Sequence, residues 1–156
     1  EAGRGKRCFL MGGGIGIPPM LQLARELEAD KSMIMGYRDG NLFLAEDFGK
    51  YGRVYVATED GSRGTKGNVL DAIEENGLKA DVIYACGPMP MLRAVKEYAR
   101  RQGIRAYISL EEHMACGVGA CLGCVVKTKE VDRHSHVHNA RICTDGPVFD
   151  AEEVDI

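Results

Sequence analysis

The sequence predicts an α/β chain: a five-stranded parallel sheet flanked by helices, followed by a small cysteine-bearing domain. Three observations carry this. Up to Glu111, short apolar runs alternate with helical patterns, as in a parallel sheet covered by helices. Those runs are apolar throughout rather than alternating, as strands buried on both faces require. After Glu112 the texture changes, and Gly, Ala and Cys dominate residues 115–124. The expected division is therefore 1–111 and 112–156.

The elements follow in order. Cys8–Met11, Ser32–Tyr37, Arg53–Ala57, Asp81–Cys86 and Arg105–Leu110 are expected as strands. Between them, Pro18–Ala29, Leu42–Phe48, Gly67–Glu75 and Pro88–Gln102 are expected as helices. Pro18 and Pro19 suit a first helical turn, where a missing N–H costs nothing. Leu21, Ala24 and Leu27 then form a stripe. Pro88 opens another helix, with Met91, Leu92, Val95 and Ala99 on one face, and Gly103 suits its left-handed C-terminal cap. Beyond the cysteine-rich stretch come a short β-like run, Val125 to Thr128, and a polar segment, Lys129 to Asn139.

Composition excludes several classes. The chain has 156 residues, enough for one domain and a small appendage. Hydrophobic residues make up 45%, which excludes disorder. The formal net charge is −3, with acidic and basic residues interleaved, so no nucleic-acid-binding stripe is expected. No apolar run approaches the ~20 residues of a spanning helix, and no signal-peptide pattern is present. The expected compartment is the cytoplasm. The first residue is Glu1 and a strand begins almost at once, so the chain is expected to be a piece of a longer protein.

Four of six cysteines crowd the last quarter of the chain. Small disulfide scaffolds are loop-rich, whereas this sequence carries periodic helices and strands, so a metal site is expected instead. Cys116, Cys121 and Cys124 stand with gaps of four and two residues, and Cys143 follows at a distance. That is the plant-type [2Fe–2S] spacing. One loop must wrap three thiolates round a compact cluster. Gly117, Gly119, Ala120 and Gly123 permit tight backbone and let N–H groups approach sulfur. A zinc site is the alternative. Four-cysteine zinc sites usually divide two and two along the sequence, whereas three cysteines here share a loop.

A second motif lies upstream. Gly12-Gly13-Gly14-Ile15-Gly16-Ile17-Pro18 joins a strand to a helix, where backbone N–H groups and a helix end can receive a pyrophosphate. It is not G-x-G-x-x-G, because Ile17 replaces the third glycine. After the third strand, Glu59 and Asp60 are placed to hydrogen-bond an adenosine ribose, favouring NAD(H). The same stretch also reads as a polar turn, and nearby Arg63 could instead accept a 2′-phosphate. Cys86-Gly87-Pro88 closes the fourth strand, at the carboxyl edge where open α/β sheets bind ligands. Cys86 also reads as a buried strand-end thiol. Cys8 reads as core.

Gly12–Pro19, Tyr84–Pro88 and Met91 resemble the nicotinamide-binding half of ferredoxin-reductase-type flavoproteins. Ser109–Cys124, with Asp145–Glu153, resembles more specifically the electron-transfer subunit of type B dihydroorotate dehydrogenase. The resemblance covers nearly the whole chain. It implies a front β-barrel that binds FAD, absent from this chain, then an NAD(H)-binding domain and a [2Fe–2S] domain. It further implies an FMN-containing dihydroorotate-oxidising partner in a heterotetramer, with electrons passing to NAD+ during pyrimidine synthesis. Cys116, Cys121, Cys124 and Cys143 then become cluster ligands. Gly12, Gly13, Gly14, Gly16, Pro18, Cys86, Gly87, Pro88 and Met91 become nicotinamide-cofactor contacts.

The segment between Cys124 and Cys143 is longer than that family usually has. It places His134, His136 and His138 at alternate positions, which share a face on a strand; a solvated hairpin tip is the other expectation. Nicotinamide exchanges two electrons as hydride, whereas the cluster passes one at a time. Flavins divide the pair, so this chain by itself is expected to lack NADH-driven electron transfer. Two other functions fit less of the sequence. One is a related NAD(P)H–ferredoxin or hydrogenase-type reductase subunit. The other is a zinc-stabilised nucleotide-binding module without redox chemistry.

Overall fold

The computed structural model describes residues 6–131 and 136–156. The chain divides into two compact units, Glu1–Ala106 and Tyr107–Ile156.

The first unit is the expected α/β layer structure. Its strands are β1 (Arg7–Gly13), β2 (Asp30–Tyr37), β3 (Arg53–Thr58), β4 (Thr65–Lys66) and β5 (Val82–Cys86). They lie in the order β4-β3-β2-β1-β5, all parallel. The helices are α1 (Ile17–Glu26), α2 (Ala45–Phe48), α3 (Val69–Glu75) and α4 (Met89–Gln102). Phe9, Leu10 and Met11 of β1, Met33, Ile34 and Met35 of β2, and Ile83 of β5 are fully buried, as the unbroken apolar runs require. Each such side chain contributes about 1.5–3 kcal/mol by leaving water. Gly12 pairs with both Met35 and Cys86, so the carboxyl ends of the three central strands are level.

The local chemistry sets the helix ends. Pro18 and Pro19 fall in the first turn of α1, and Gly103 caps α4 with φ 67°. The α3 helix starts two residues later than its sequence pattern. Asn68 caps it, accepting from the Leu70 and Asp71 N–H groups, while Asp71 accepts from the Asn68 N–H. Such a capping box is worth about 1 kcal/mol.

The expected helix over Leu42–Phe48 is only one turn. The Asp39 carboxylate takes the Asn41 N–H, and Tyr37 Oη donates to the Phe43 carbonyl at 2.7 Å. These bonds hold 39–43 as a loop, and Leu44 enters the turn left-handed at φ 63°.

The strand β6 (Arg105–Ser109) runs from the first unit into the second. The second unit also holds β7 (Val125–Lys127), β8 (Asn139–Arg141) and β9 (Val148–Asp150). β9 pairs antiparallel with β6, and β7 with β8. The β6–β9 pairing runs across the composition change at 111–112, because strand partners distant in sequence leave no local signature. Among the described residues, Ile108, Leu110, Cys124, Val126, Ile142, Phe149, Ala151 and Val154 are the buried apolar residues of this unit. Among the described residues, no helix is long and apolar enough to cross a membrane.

Candidate functional sites

Two places hold the residues of interest, one in each unit. In the first, the carboxyl ends of β1, β2, β3 and β5 surround a cavity of about 430 Å³. Parallel strands open such a crevice because their loops diverge there. Of the expected cofactor contacts, Gly13, Gly14, Glu59, Pro88 and Met91 line it. Met91 packs over Gly13 and Gly87. Gly16 sits beneath, where a Cβ would stand 2.1 Å from the Cys86 carbonyl oxygen. Only glycine lets the start of α1 approach the end of β5 this closely.

Gly12, Gly16, Pro18, Asp60, Cys86 and Gly87 do not line the cavity. Cys86 is 1% exposed, as core-like as Cys8. Asp60 is engaged in its own turn, accepting from the Ser62 N–H at 2.9 Å and the Ser62 hydroxyl at 2.6 Å. The Ser62 hydroxyl leads in holding the Asp60 carboxyl below the usual range. Gly36 and Tyr37 at the end of β2, Arg38 just after it, Gly67 to Leu70 before and in α3, and Pro90 and Ala94 of α4 complete the lining without having been singled out in the sequence. The carboxyl-end rule applied to β2 would have found Arg38.

Burial pushes the Tyr37 hydroxyl up to about 12. It stays protonated and donates to Phe43, whose ring it meets edge-on at 5.3 Å.

In the second unit, Cys116, Cys121 and Cys124 lie on one loop before and into β7, and Cys143 follows β8. None of the six cysteines is in a disulfide. Cys116 Sγ accepts the Cys121 N–H, and Cys121 Sγ accepts the Gly123 N–H, both at 3.4 Å. Backbone N–H groups, that of Val118 first, draw the Cys116 thiol down to about 6, whereas the Cys124 side chain pushes Cys143 up. The Cys124 carbonyl accepts the Ile142 N–H at 2.9 Å, tying the loop to the residue before Cys143. Gly119 turns with φ 77°, and a Cβ there would stand 2.9 Å from the Thr144 methyl.

Cys116 interacts with Cys121, and Cys143 with both Cys124 and Cys116, so the four thiols form one connected group. Among the described residues, no three of His, Cys, Asp or Glu are drawn together closely enough to hold a metal ion. Four-cysteine zinc sites usually divide two and two along the sequence. Three thiols here share one loop, with N–H groups turned to two of the sulfurs, which fits a two-iron cluster.

Of the alternating histidines, His134 lies outside the described residues. His136 is exposed at φ 56°, and His138 Nδ1 lies 2.9 Å from the Lys129 carbonyl oxygen. Both precede β8 rather than sharing a strand face.

Comparison with known proteins places these two sites. Residues 10–97 match the oxidoreductase NAD-binding domain, and 111–155 the iron–sulfur cluster binding domain of dihydroorotate dehydrogenase B. The chain is 48% identical to the dihydroorotate dehydrogenase B (NAD(+)) electron transfer subunit of Caldanaerobacter subterraneus subsp. tengcongensis, covering 96% of this chain and 60% of that protein. It is 45% identical to the same subunit of Geobacillus thermodenitrificans, over 96% and 58%. It thus spans about three fifths of these relatives' length. A solved structure described as an NADH-dependent reduced ferredoxin-NADP oxidoreductase superposes with TM-score 0.83 at 29% identity, over 96% of this chain and 54% of that one. With more than half its length matched, the chain belongs to the oxidoreductase NAD-binding domain family, and its tail carries the segment that is the iron–sulfur cluster binding domain in dihydroorotate dehydrogenase B.

Proposed function

We propose that the chain is the NAD(H)- and cluster-binding part of a type B dihydroorotate dehydrogenase electron-transfer subunit. Residues 1–111 bind NAD(H), and 112–156 hold a [2Fe–2S] cluster on Cys116, Cys121, Cys124 and Cys143. The supporting observation is the cysteine loop itself, which lies in the segment matching the iron–sulfur domain and turns the Cys121 and Gly123 N–H groups to the Cys116 and Cys121 sulfurs. FAD belongs to the part of the relatives that this chain does not span, and it supplies the conversion between hydride and single electrons. The partner is an FMN-containing subunit that oxidises dihydroorotate, in a cytoplasmic heterotetramer.

The chain's own residues bind and orient. Gly13 and Gly14 leave room for a pyrophosphate against the main chain. Pro88 and Met91 wall the cavity and exclude water from its floor. The N–H groups turned to Cys116 favour thiolate over thiol there and so favour ligation.

Producing the subunit with its preceding segment and catalytic partner tests this. The expected result is a red-brown complex that reduces NAD+ with dihydroorotate. A colourless, zinc-containing protein would overturn it. The likeness to a ferredoxin-linked oxidoreductase supports a second reading, a subunit serving another electron partner. Copurification with a dihydroorotate-oxidising chain separates the two.

A further inference from the structure

The strand-end cavity carries two opposite charges that do not pair. Arg38 follows β2, Glu59 follows β3, and both line the cavity. Main-chain bonds lace their turns together: the Glu59 N–H donates to the Tyr37 carbonyl at 3.1 Å, and the Asp60 N–H to the Arg38 carbonyl at 3.4 Å. Despite this adjacency, neither side chain has a hydrogen-bond or ion-pair partner among the described residues. Both are exposed. The other two charged groups nearby stand outside the cavity. Asp60 is held by Ser62. Arg63 does not line the cavity, and its main chain brackets the Thr58 hydroxyl, with bonds of 2.7 and 3.2 Å.

The two free charges suit different ligands. A carboxylate accepts hydrogen bonds from ribose hydroxyls but repels a phosphate, which carries about −1.5 to −2 charge at neutral pH. A guanidinium offers a phosphate two parallel N–H donors. An arginine beside an ion-paired carboxylate would be neutralised, whereas here it is not paired.

We propose that Glu59 and Arg38 set cofactor choice as an opposed pair. Glu59 takes the 2′-hydroxyl of the adenosine ribose and bars a 2′-phosphate. Arg38 is a latent 2′-phosphate site that opens when the carboxylate is removed. This rests on reading the cavity as a dinucleotide site; of the expected pair Glu59 and Asp60 it keeps Glu59 on the ribose, and it moves the 2′-phosphate contact from Arg63 to Arg38.

Calorimetry on the full-length subunit, with flavin and cluster loaded, tests it with two probes. 5′-AMP and adenosine 2′,5′-bisphosphate differ only in the 2′-phosphate. The unaltered protein is expected to bind 5′-AMP at least tenfold more tightly. Glu59→Gln should improve the bisphosphate by at least tenfold and weaken 5′-AMP, whose 2′-hydroxyl loses its carboxylate acceptor, with an unaltered thermal midpoint reporting an intact fold. Adding Arg38→Gln should abolish the gain. An unchanged ratio in Glu59→Gln, or a gain that survives in the double variant, overturns the pairing. Failure of the unaltered protein to bind either probe or NADH overturns the nucleotide reading beneath it.

Discussion

Gly16 stands so close to Cys86 that a side chain on it would collide with the Cys86 carbonyl, the prospective Cβ lying 2.1 Å from the oxygen and 2.7 Å from the Gly87 nitrogen. The obstacle is main chain, which cannot swing aside. Gly16→Ala is therefore expected to push α1 from the end of β5, costing about 1–3 kcal/mol as overpacking does. It should also weaken NADH binding at least tenfold, since Gly13 and Gly14 belong to the same loop. Urea unfolding and NADH titration check the two effects. Unchanged values for both would show that the loop can relax elsewhere.

A second pair fixes the opposite edge of the sheet. The Asp81 carboxylate accepts from Arg7 three times: from Nη2 at 2.8 Å, the backbone N–H at 3.0 Å and Nε at 3.2 Å. The Arg7 carbonyl accepts the Asp81 N–H at 2.8 Å, so the starts of β1 and β5 are clipped together. The guanidinium bond first, then the backbone bond, lowers the Asp81 carboxyl from 3.8 to about 2. A depressed carboxyl contributes stability above its unfolded value and loses it as pH falls through the folded one. The stability gap between the unaltered protein and Asp81→Asn should thus be constant above pH 4 and close toward pH 2. Urea midpoints of the metal-free protein across that range measure it. A gap that persists at pH 2 would assign the effect to something other than ionisation.

Tyr37→Phe should cost about 1 kcal/mol, because the Phe43 carbonyl loses a part-buried donor. The 39–44 loop should become more open to proteolysis, while the ring packing on Phe43 survives. Limited proteolysis and thermal unfolding read both. No change in either would show that water replaces the hydroxyl fully.

How much of this was legible beforehand depends on the range of the interaction. The buried strands showed as apolar runs, and the cysteine spacing showed because one loop holds three thiols. Gly16 was visible as part of a glycine loop between strand and helix. Arg38 was overlooked although it directly follows an expected strand, because only the strand order that sets β2 beside β1, a relation between residues far apart in sequence, brings that strand end to the glycine loop. β9 was hidden for the same reason: three residues pair with β6 across nearly forty intervening positions. The shortened α2 failed differently. Its helical apolar pattern is real, but the Asp39 and Tyr37 side chains compete for the backbone and win.

Removing one thiol should separate ligand from bystander. Cys143→Ser is expected to lose most of the red-brown absorption, since the proposed cluster then keeps only three of its four thiolates. Cys8→Ser should keep it, because Cys8 is buried within β1 in the other unit. Iron per chain and the visible spectrum decide this. Equal loss in both would point to misfolding rather than ligation.

The electron count gives the last prediction. A hydride brings two electrons, and a [2Fe–2S] centre takes one. Nothing among the described residues of the first unit is a redox group able to split the pair, since its two thiols, Cys8 and Cys86, are buried in different strands and form no disulfide. The chain alone, with its cluster assembled, should therefore be bleached by dithionite but not by NADH. Fusing the preceding segment and adding FAD should make the same NADH effective. Anaerobic stopped-flow absorbance follows both. Rapid bleaching by NADH without flavin would mean that the nicotinamide cavity feeds the cysteine loop directly, and the need for an intervening flavin would fall.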